Sequence, residues 1–227
     1  VPIFKKMIIF CDFDGTITEN DNIIQIMKHF NPPGWEPIKN NILSGRISIR
    51  EGVGRMFGLL PASCREEITS FSINTAKIRP GFREFIQYCK ERNIRLLVTS
   101  GGIDFFVFPI LSNFSLSKQD IYCNASDFSG KHIQILWPFP CDVQCSNKCG
   151  MCKPSILRSL AFDDSMKIVI GDSITDLAVA KMADLVIARD FLVQKCKEHS
   201  LHYEEFHSFF DVVTILNQMN DDWGEDV

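Results

Sequence analysis

The chain has 227 residues, 45% of them hydrophobic and 23% charged, enough to bury a core as one large domain or as a core with a smaller appendage. Its net charge of −4 at pH 7 offers no basic field for nucleic acid, and no apolar run reaches the roughly eighteen residues that cross a membrane. With no charged-then-apolar leader, the expectation is a soluble cytoplasmic protein, whose partner is a small molecule, including a small anion held in a locally positive pocket.

In chain order, the first element is an apolar run, Met7 to Cys11, that empties into Asp12-Phe13-Asp14-Gly15-Thr16. Such a run suits a strand buried on both faces and ending in a loop, the place where open parallel sheets bind ligands. Two carboxylates at the edge of an apolar core are costly without compensation, and a divalent cation supplies it. The plainer alternative is an Asp-Gly turn with one Asp as a cap.

Helical spacing follows in Ile23 to Phe30, Ile49 to Phe57 and Cys64 to Ala76, interrupted at Pro32-Pro33-Gly34 and Leu60-Pro61. Far more chain lies here than one crossover needs, so residues 18–77 read as a helical cap subdomain inserted after the first strand. The remainder, 1–17 and 78–220, alternates strand-like runs (Leu96 to Thr99, Lys167 to Ile170, Leu185 to Ala188) with helical segments (Pro80 to Arg92, Thr175 to Met182). This predicts an α/β core with a doubly wound, mostly parallel sheet. Residues 221–227 read as a flexible acidic tail.

Three further segments fall where strands end. After Leu96 to Thr99 come Ser100, Gly101 and Gly102, a hydroxyl and two amides suited to phosphate oxygens, or else an ordinary strand-to-helix turn. Lys153 opens a helical stretch, where a positive charge opposes the macrodipole unless it serves an anion; it is otherwise a solvated lysine. Lys167 to Ile170 lead into Asp172, with Asp176 four residues on. Asp12, Asp14 and Asp172 would then make three carboxylates for one hard cation, Mg2+, with Asp176 either orienting them or capping a helix.

Five of the nine cysteines are scattered and read as reduced, packed thiols, whereas Cys141, Cys145, Cys149 and Cys152 cluster just before Lys153. The cluster admits a structural Zn2+, disulfides or free thiols; its spacing is not that of common zinc ribbons or fingers.

In their order, these four elements resemble the haloacid dehalogenase-like phosphohydrolases, over nearly the whole chain. The resemblance implies that Asp12 is the nucleophile, Asp14 the acid-base, Ser100 and Lys153 the phosphate-binding hydroxyl and lysine, and Asp172 a metal ligand. An aspartyl-phosphate intermediate and Mg2+ come with it. Asp14 two residues after Asp12 suits a phosphatase rather than a dehalogenase, and a transport ATPase would carry Asp-Lys-Thr-Gly here.

Within that family, Asp12 to Thr18, Asn20 to Ile23, Glu51 to Phe57, Ser100 to Phe106 and Cys145 to Pro154 together resemble the phosphatases of bacterial methionine salvage, which release an acireductone. Asp21 matches the cap acid with which the related phosphoserine phosphatases read a substrate amine, so a phosphoserine- or phosphocholine-type substrate stays open as an alternative. A non-catalytic phosphate-binding protein is a further alternative. Arg55, with Met56 and Phe57, either lines a pocket for a methylthio tail or closes the core of the cap. Composition gives no oligomeric state.

Overall fold

The computed structural model describes residues 6–161 and 164–222. In chain order the elements are β1 (Met7–Cys11), α1 (Asn22–Phe30), α2 (Trp35–Leu43), α3 (Ile49–Phe57), α4 (Arg65–Thr75), α5 (Phe82–Glu91), β2 (Arg95–Ile103), α6 (Asp104–Leu111), β3 (Ile121–Asp127) and β4 (Gln134–Leu136). They continue with α7 (Lys153–Leu160), β5 (Met166–Gly171), α8 (Leu177–Ala180), β6 (Leu185–Ala188), α9 (Asp190–Glu198), β7 (Tyr203–Glu205) and α10 (Phe209–Asp222). No helix among the described residues is long and apolar enough to cross a membrane.

The chain divides into two compact units. One holds residues 1–19, 78–98 and 157–227; the other holds 20–77 together with 99–156. Strand β2 passes from the first into the second.

In the first unit the strands run β2-β1-β5-β6-β7, and every adjacent pair is parallel. β1 is central, with Cys11 opposite Val98 of β2 on one side and Ile170 of β5 on the other. The chain thus leaves β1 toward one edge and later returns to its other side, which makes the carboxyl end of β1 a topological switch point. Ile9, Phe10 and Cys11 are fully or almost fully buried, as are Ile168, Val169 and Ile170, in keeping with strands whose faces are both covered. An aromatic cluster joins α5 to α10, with Phe209 packed 5.0 Å from Phe82 and 5.1 Å from Phe85, ring centre to ring centre.

The second unit contains the helices of the expected insertion and more. Backbone bonds from Ala62 N–H to Lys131 O and from Ile133 N–H to Leu60 O, each 3.0 Å, tie the segment after α3 to the one before β4. Phe57 meets Phe105 of α6 edge-on, and Phe105 meets Phe128 in the same way. These long-range pairings are why the helices share a unit with α6, β3 and β4. The last two of these strands are antiparallel.

Several element boundaries differ from the sequence expectation for local reasons. β2 continues through Ser100, Gly101 and Gly102 to Ile103 instead of stopping at Thr99. α5 begins at Phe82 because Gly81 takes a left-handed φ of +83°, where a β-carbon would lie 2.6 Å from Phe210 N. The helix expected over Thr175 to Met182 is a 3-10 turn followed by the short α8, since Asp176 bonds back to the turn before it. The sequence expectation did not include α2, β3, β4 or β7. Of the expected tail, 221 and 222 end α10, and 223–227 lie outside the described residues.

Candidate active site

Immediately after β1, the amide of Asp12 donates to Ile170 O of β5 at 2.9 Å, so the sheet ladder itself fixes where this carboxylate leaves the strand. Asp14 follows in extended backbone (φ −75°, ψ 119°), Gly15 turns left-handed at φ +82°, and Thr18 N–H closes the loop on Phe13 O at 2.9 Å. A left-handed residue directly after an acid calls for Gly.

Carboxylate oxygens of Asp12, Asp172 and Asp176 lie within 4.8 Å of one another. Asp12 and Asp176 are buried, at 5% and 1% exposure. Asp14 is not among the three, so the trio differs from the Asp12, Asp14 and Asp172 set expected from sequence: Asp176 takes the third place. Two like charges at that separation repel by about 3–4 kcal/mol at an effective dielectric of about 20. An all-oxygen set of this kind, with negative charge to neutralise, fits a hard divalent cation.

Asp176 Oδ2 already accepts from the amides of Asp172 and Ser173, both at 3.2 Å, and from Ser173 Oγ at 3.3 Å. Asp176 thus closes a capping box with Ser173 and accepts from the Asp172 backbone amide. Asp172 Oδ1 accepts from Thr16 Oγ1 at 3.3 Å. Gly171 is obligatory beside them, because a β-carbon there would sit 2.5 Å from the Asp176 carboxyl carbon.

Sequence reasoning missed the residue that holds this loop. Arg79 is 6% exposed and donates from Nε to Thr16 O at 2.7 Å, from Nη2 to Gly15 O at 2.8 Å and Thr18 O at 3.4 Å, and from Nη1 to His207 O at 3.3 Å. Burial lowers its pKa, as does the charge of Arg189. One guanidinium thus satisfies the carbonyls of a tight turn that has no regular ladder of its own. The only signal in the sequence was its place in Arg79-Pro80-Gly81, ahead of a helix.

In the second unit, Ser100 is fully buried and its Oγ accepts from Gly102 N–H at 2.8 Å. The Gly102 amide is thereby engaged within the segment, and Gly101 is exposed. Asn124 of β3, 2% exposed, donates from Nδ2 to Gly101 O at 2.8 Å, and its buried Oδ1 has no partner among the described residues. A lone Asn in a strand gave no sign of this. Lys153 is the first residue of α7 and is 4% exposed, unlike a solvated surface lysine.

The two cap residues have local partners. Asp21 caps α1, accepting from Ile24 N–H at 3.0 Å. Arg55 pairs with Glu51 one turn earlier at 2.6 Å and is more than half exposed; with Ser48, Arg50, Gly54, Trp137 and Lys148 the pair lines a cavity of about 630 Å³. Met56 and Phe57 are 2% and 0% exposed, packing residues rather than lining.

The family model for haloacid dehalogenase-like hydrolases matches residues 9–181. The chain belongs to this family. Curated relatives named 2-hydroxy-3-keto-5-methylthiopentenyl-1-phosphate phosphatase include one from Geobacillus kaustophilus, 58% identical over 95% of this chain and 97% of its own. Another, from Brevibacillus brevis, is 56% identical over the same shares. Among solved structures, phosphoserine phosphatase from T. onnurineus superimposes with a TM-score of 0.69 at 17% identity, covering 95% of this chain and 96% of its own, a likeness of fold. As a haloacid dehalogenase-like hydrolase, this chain is a phosphatase.

Proposed function

We propose that this hydrolase removes the 1-phosphate of 2-hydroxy-3-keto-5-methylthiopentenyl-1-phosphate, leaving the acireductone of methionine salvage, through an aspartyl-phosphate on Asp12. The observation that carries the reading is the shared name of relatives 53–58% identical over 93–95% of the chain. It is supported by the buried acid cluster at the switch point of the sheet.

In this reading a carboxylate oxygen of Asp12 attacks phosphorus while the enolic oxygen departs, taking a proton from Asp14. Asp14 then removes a proton from water, which attacks the phosphorus of the acyl phosphate and returns Asp12 as a carboxylate with release of inorganic phosphate. Ser100 and Lys153 bind the phosphoryl oxygens, the lysine neutralising charge.

Mg2+ would be held in the carboxylate cluster of Asp12, Asp172 and Asp176. When bound, it lowers the charge repulsion between phosphate and carboxylate. It is the reaction's only cofactor here, and the thiolates have no part in the transfer. None of the nine cysteines is in a disulfide, which suits a reducing compartment, the cytoplasm. The substrate is a small phosphate monoester, with neither nucleic acid nor membrane as a partner.

The test is a panel of phosphate monoesters assayed with Mg2+ and after chelation. Turnover of the methylthiopentenyl phosphate should exceed that of phosphoserine and phosphocholine by about 100-fold or more in kcat/KM, and chelation should abolish it reversibly. A preference for phosphoserine, or full activity without a divalent cation, sinks the reading.

A further inference from the structure

Residues 137–152 join β4 to α7 without a helix or strand, and from Cys141 to Cys149 every side chain is at least partly exposed. Val143 there is fully exposed. Such a segment has almost no apolar burial to offset the entropy of ordering it, yet it is folded into a definite path. Lys148 takes a left-handed φ of +50°, and Gly150 lies against Trp137 so closely that a β-carbon would come within 2.6 Å of its ring. Something other than a core has to hold it.

The sulfurs of Cys141, Cys145, Cys149 and Cys152 lie within 4.8 Å of one another. Cys145 and Cys149 are 4.0 Å apart, about twice a disulfide bond length. A tetrahedral ion with Zn–S bonds of about 2.3 Å sets its sulfurs about 3.8 Å apart, which the observed cluster nearly meets. Cys149 N–H donates to Cys141 Sγ at 3.3 Å, a contact that favours a sulfur carrying negative charge.

We infer that these four cysteines form a structural tetrathiolate site for a soft divalent cation, Zn2+, that staples residues 141–152 and thereby fixes the start of α7. On binding, each thiol loses its proton to solvent and four Zn–S bonds form, leaving a net charge of −2 that the neighbouring Lys148 and Lys153 offset in part. The site is closed by four protein ligands, so it offers no position for water or substrate. Its reach is local and definite. Cys152 donates its amide to Phe139 O at 2.9 Å, Ser155 Oγ bonds Pro140 O at 3.2 Å, and Lys153 follows Cys152 directly. Lys148 carries the staple to the wall of the cavity beside Arg50 and Arg55. The consequence for catalysis rests on the role proposed for Lys153; the metal site itself does not.

Metal analysis of the full chain, purified reduced and without chelator, decides the matter. We expect about one Zn2+ per chain, released by a thiol-modifying mercurial. Uptake of Co2+ by the zinc-depleted chain should give the intense visible bands of a tetrahedral thiolate complex. In Cys149→Ser and Cys145→Ser, zinc affinity should fall about tenfold or more. Amide exchange should quicken in 141–156 on zinc removal while the strands of the first unit keep their protection, a readout independent of any phosphatase assay. Absence of stoichiometric zinc together with no Co2+ spectrum from the reduced chain overturns the site, as does a mass showing the cluster oxidised to disulfides. If zinc binds but its removal leaves turnover unchanged, the staple stands and the positioning of Lys153 by it does not.

Discussion

Gly15 and Asp172 are in mutual exclusion: a β-carbon on Gly15 would collide with Oδ2 of Asp172, and the backbone there is left-handed at φ +82°. The glycine of the loop after β1 is therefore a requirement set by an acid 157 positions later as well as by its own turn. Gly15→Ala should destabilise the fold by about 1–3 kcal/mol, from backbone strain and from displacement of the carboxylate. Turnover should fall by about 100-fold or more, because the acid beside Asp12, the proposed nucleophile, moves. Urea denaturation and steady-state kinetics check both; a variant with parental kcat would show that Asp172 does not depend on this space.

Asp12→Asn separates function from stability. Turnover should drop by about a thousandfold or more, since the amide is no nucleophile toward phosphorus. Removing one of three clustered negative charges should leave thermal stability in chelator equal to or above that of the parent. Melting curves with and without Mg2+ measure this, and the Mg2+-induced increase should shrink in the variant. An unchanged metal response would place the cation elsewhere.

Arg79 acts through the loop and is a positioning residue. Arg79→Met leaves the carbonyls of Gly15 and Thr16 without their buried donor and should cost about 2–4 kcal/mol, with a fall in kcat of about tenfold or more. Arg79→Lys, a single ammonium in place of a fork, should recover part of the stability and little of the rate. Equal kcat in both variants and the parent would argue that the loop holds its shape unaided.

Asp211 gives a pH signature. Its carboxylate accepts from the amides of His207 and Ser208 at 2.9 and 2.8 Å, and from Ser208 Oγ at 3.1 Å, at the start of α10. The two amides are what chiefly hold its pKa below the ordinary carboxylate value. A depressed folded pKa means stability that is present above the unfolded pKa of about 4 and is lost as pH falls through the lower, folded value. Asp211→Ala should lose about 1 kcal/mol at neutral pH. The difference from the parent should close in acid, which denaturant titrations at pH 7 and pH 3 would show.

The parallel strands were legible because burial on both faces leaves a continuous apolar run: Met7–Cys11 and Leu185–Ala188 are strands with the bounds the sequence suggested. Ile49–Phe57 was equally clear, since a helix with one buried face writes its period into the sequence. The acids after β1 and β5 were legible too, because a carboxylate at the end of an apolar strand is conspicuous, and their order carried the family.

What the tertiary structure decided depends on residues far apart in the chain. That Asp176 joins Asp12 and Asp172 follows from the parallel pairing of β1 with β5 and from the turn that folds Asp176 back on Asp172. That Arg79 holds the carbonyls of residues 15, 16 and 18, and Asn124 that of Gly101, is likewise invisible locally, since a carbonyl looks the same in every residue and only the fold says which donor reaches it. The sequence by itself singled out the candidate acids, the hydroxyl and the lysine, through their type and their place at strand ends. Tertiary structure alone decided which backbone and side-chain partners hold them still, because those partners are chosen by distance in space and leave no period in the chain.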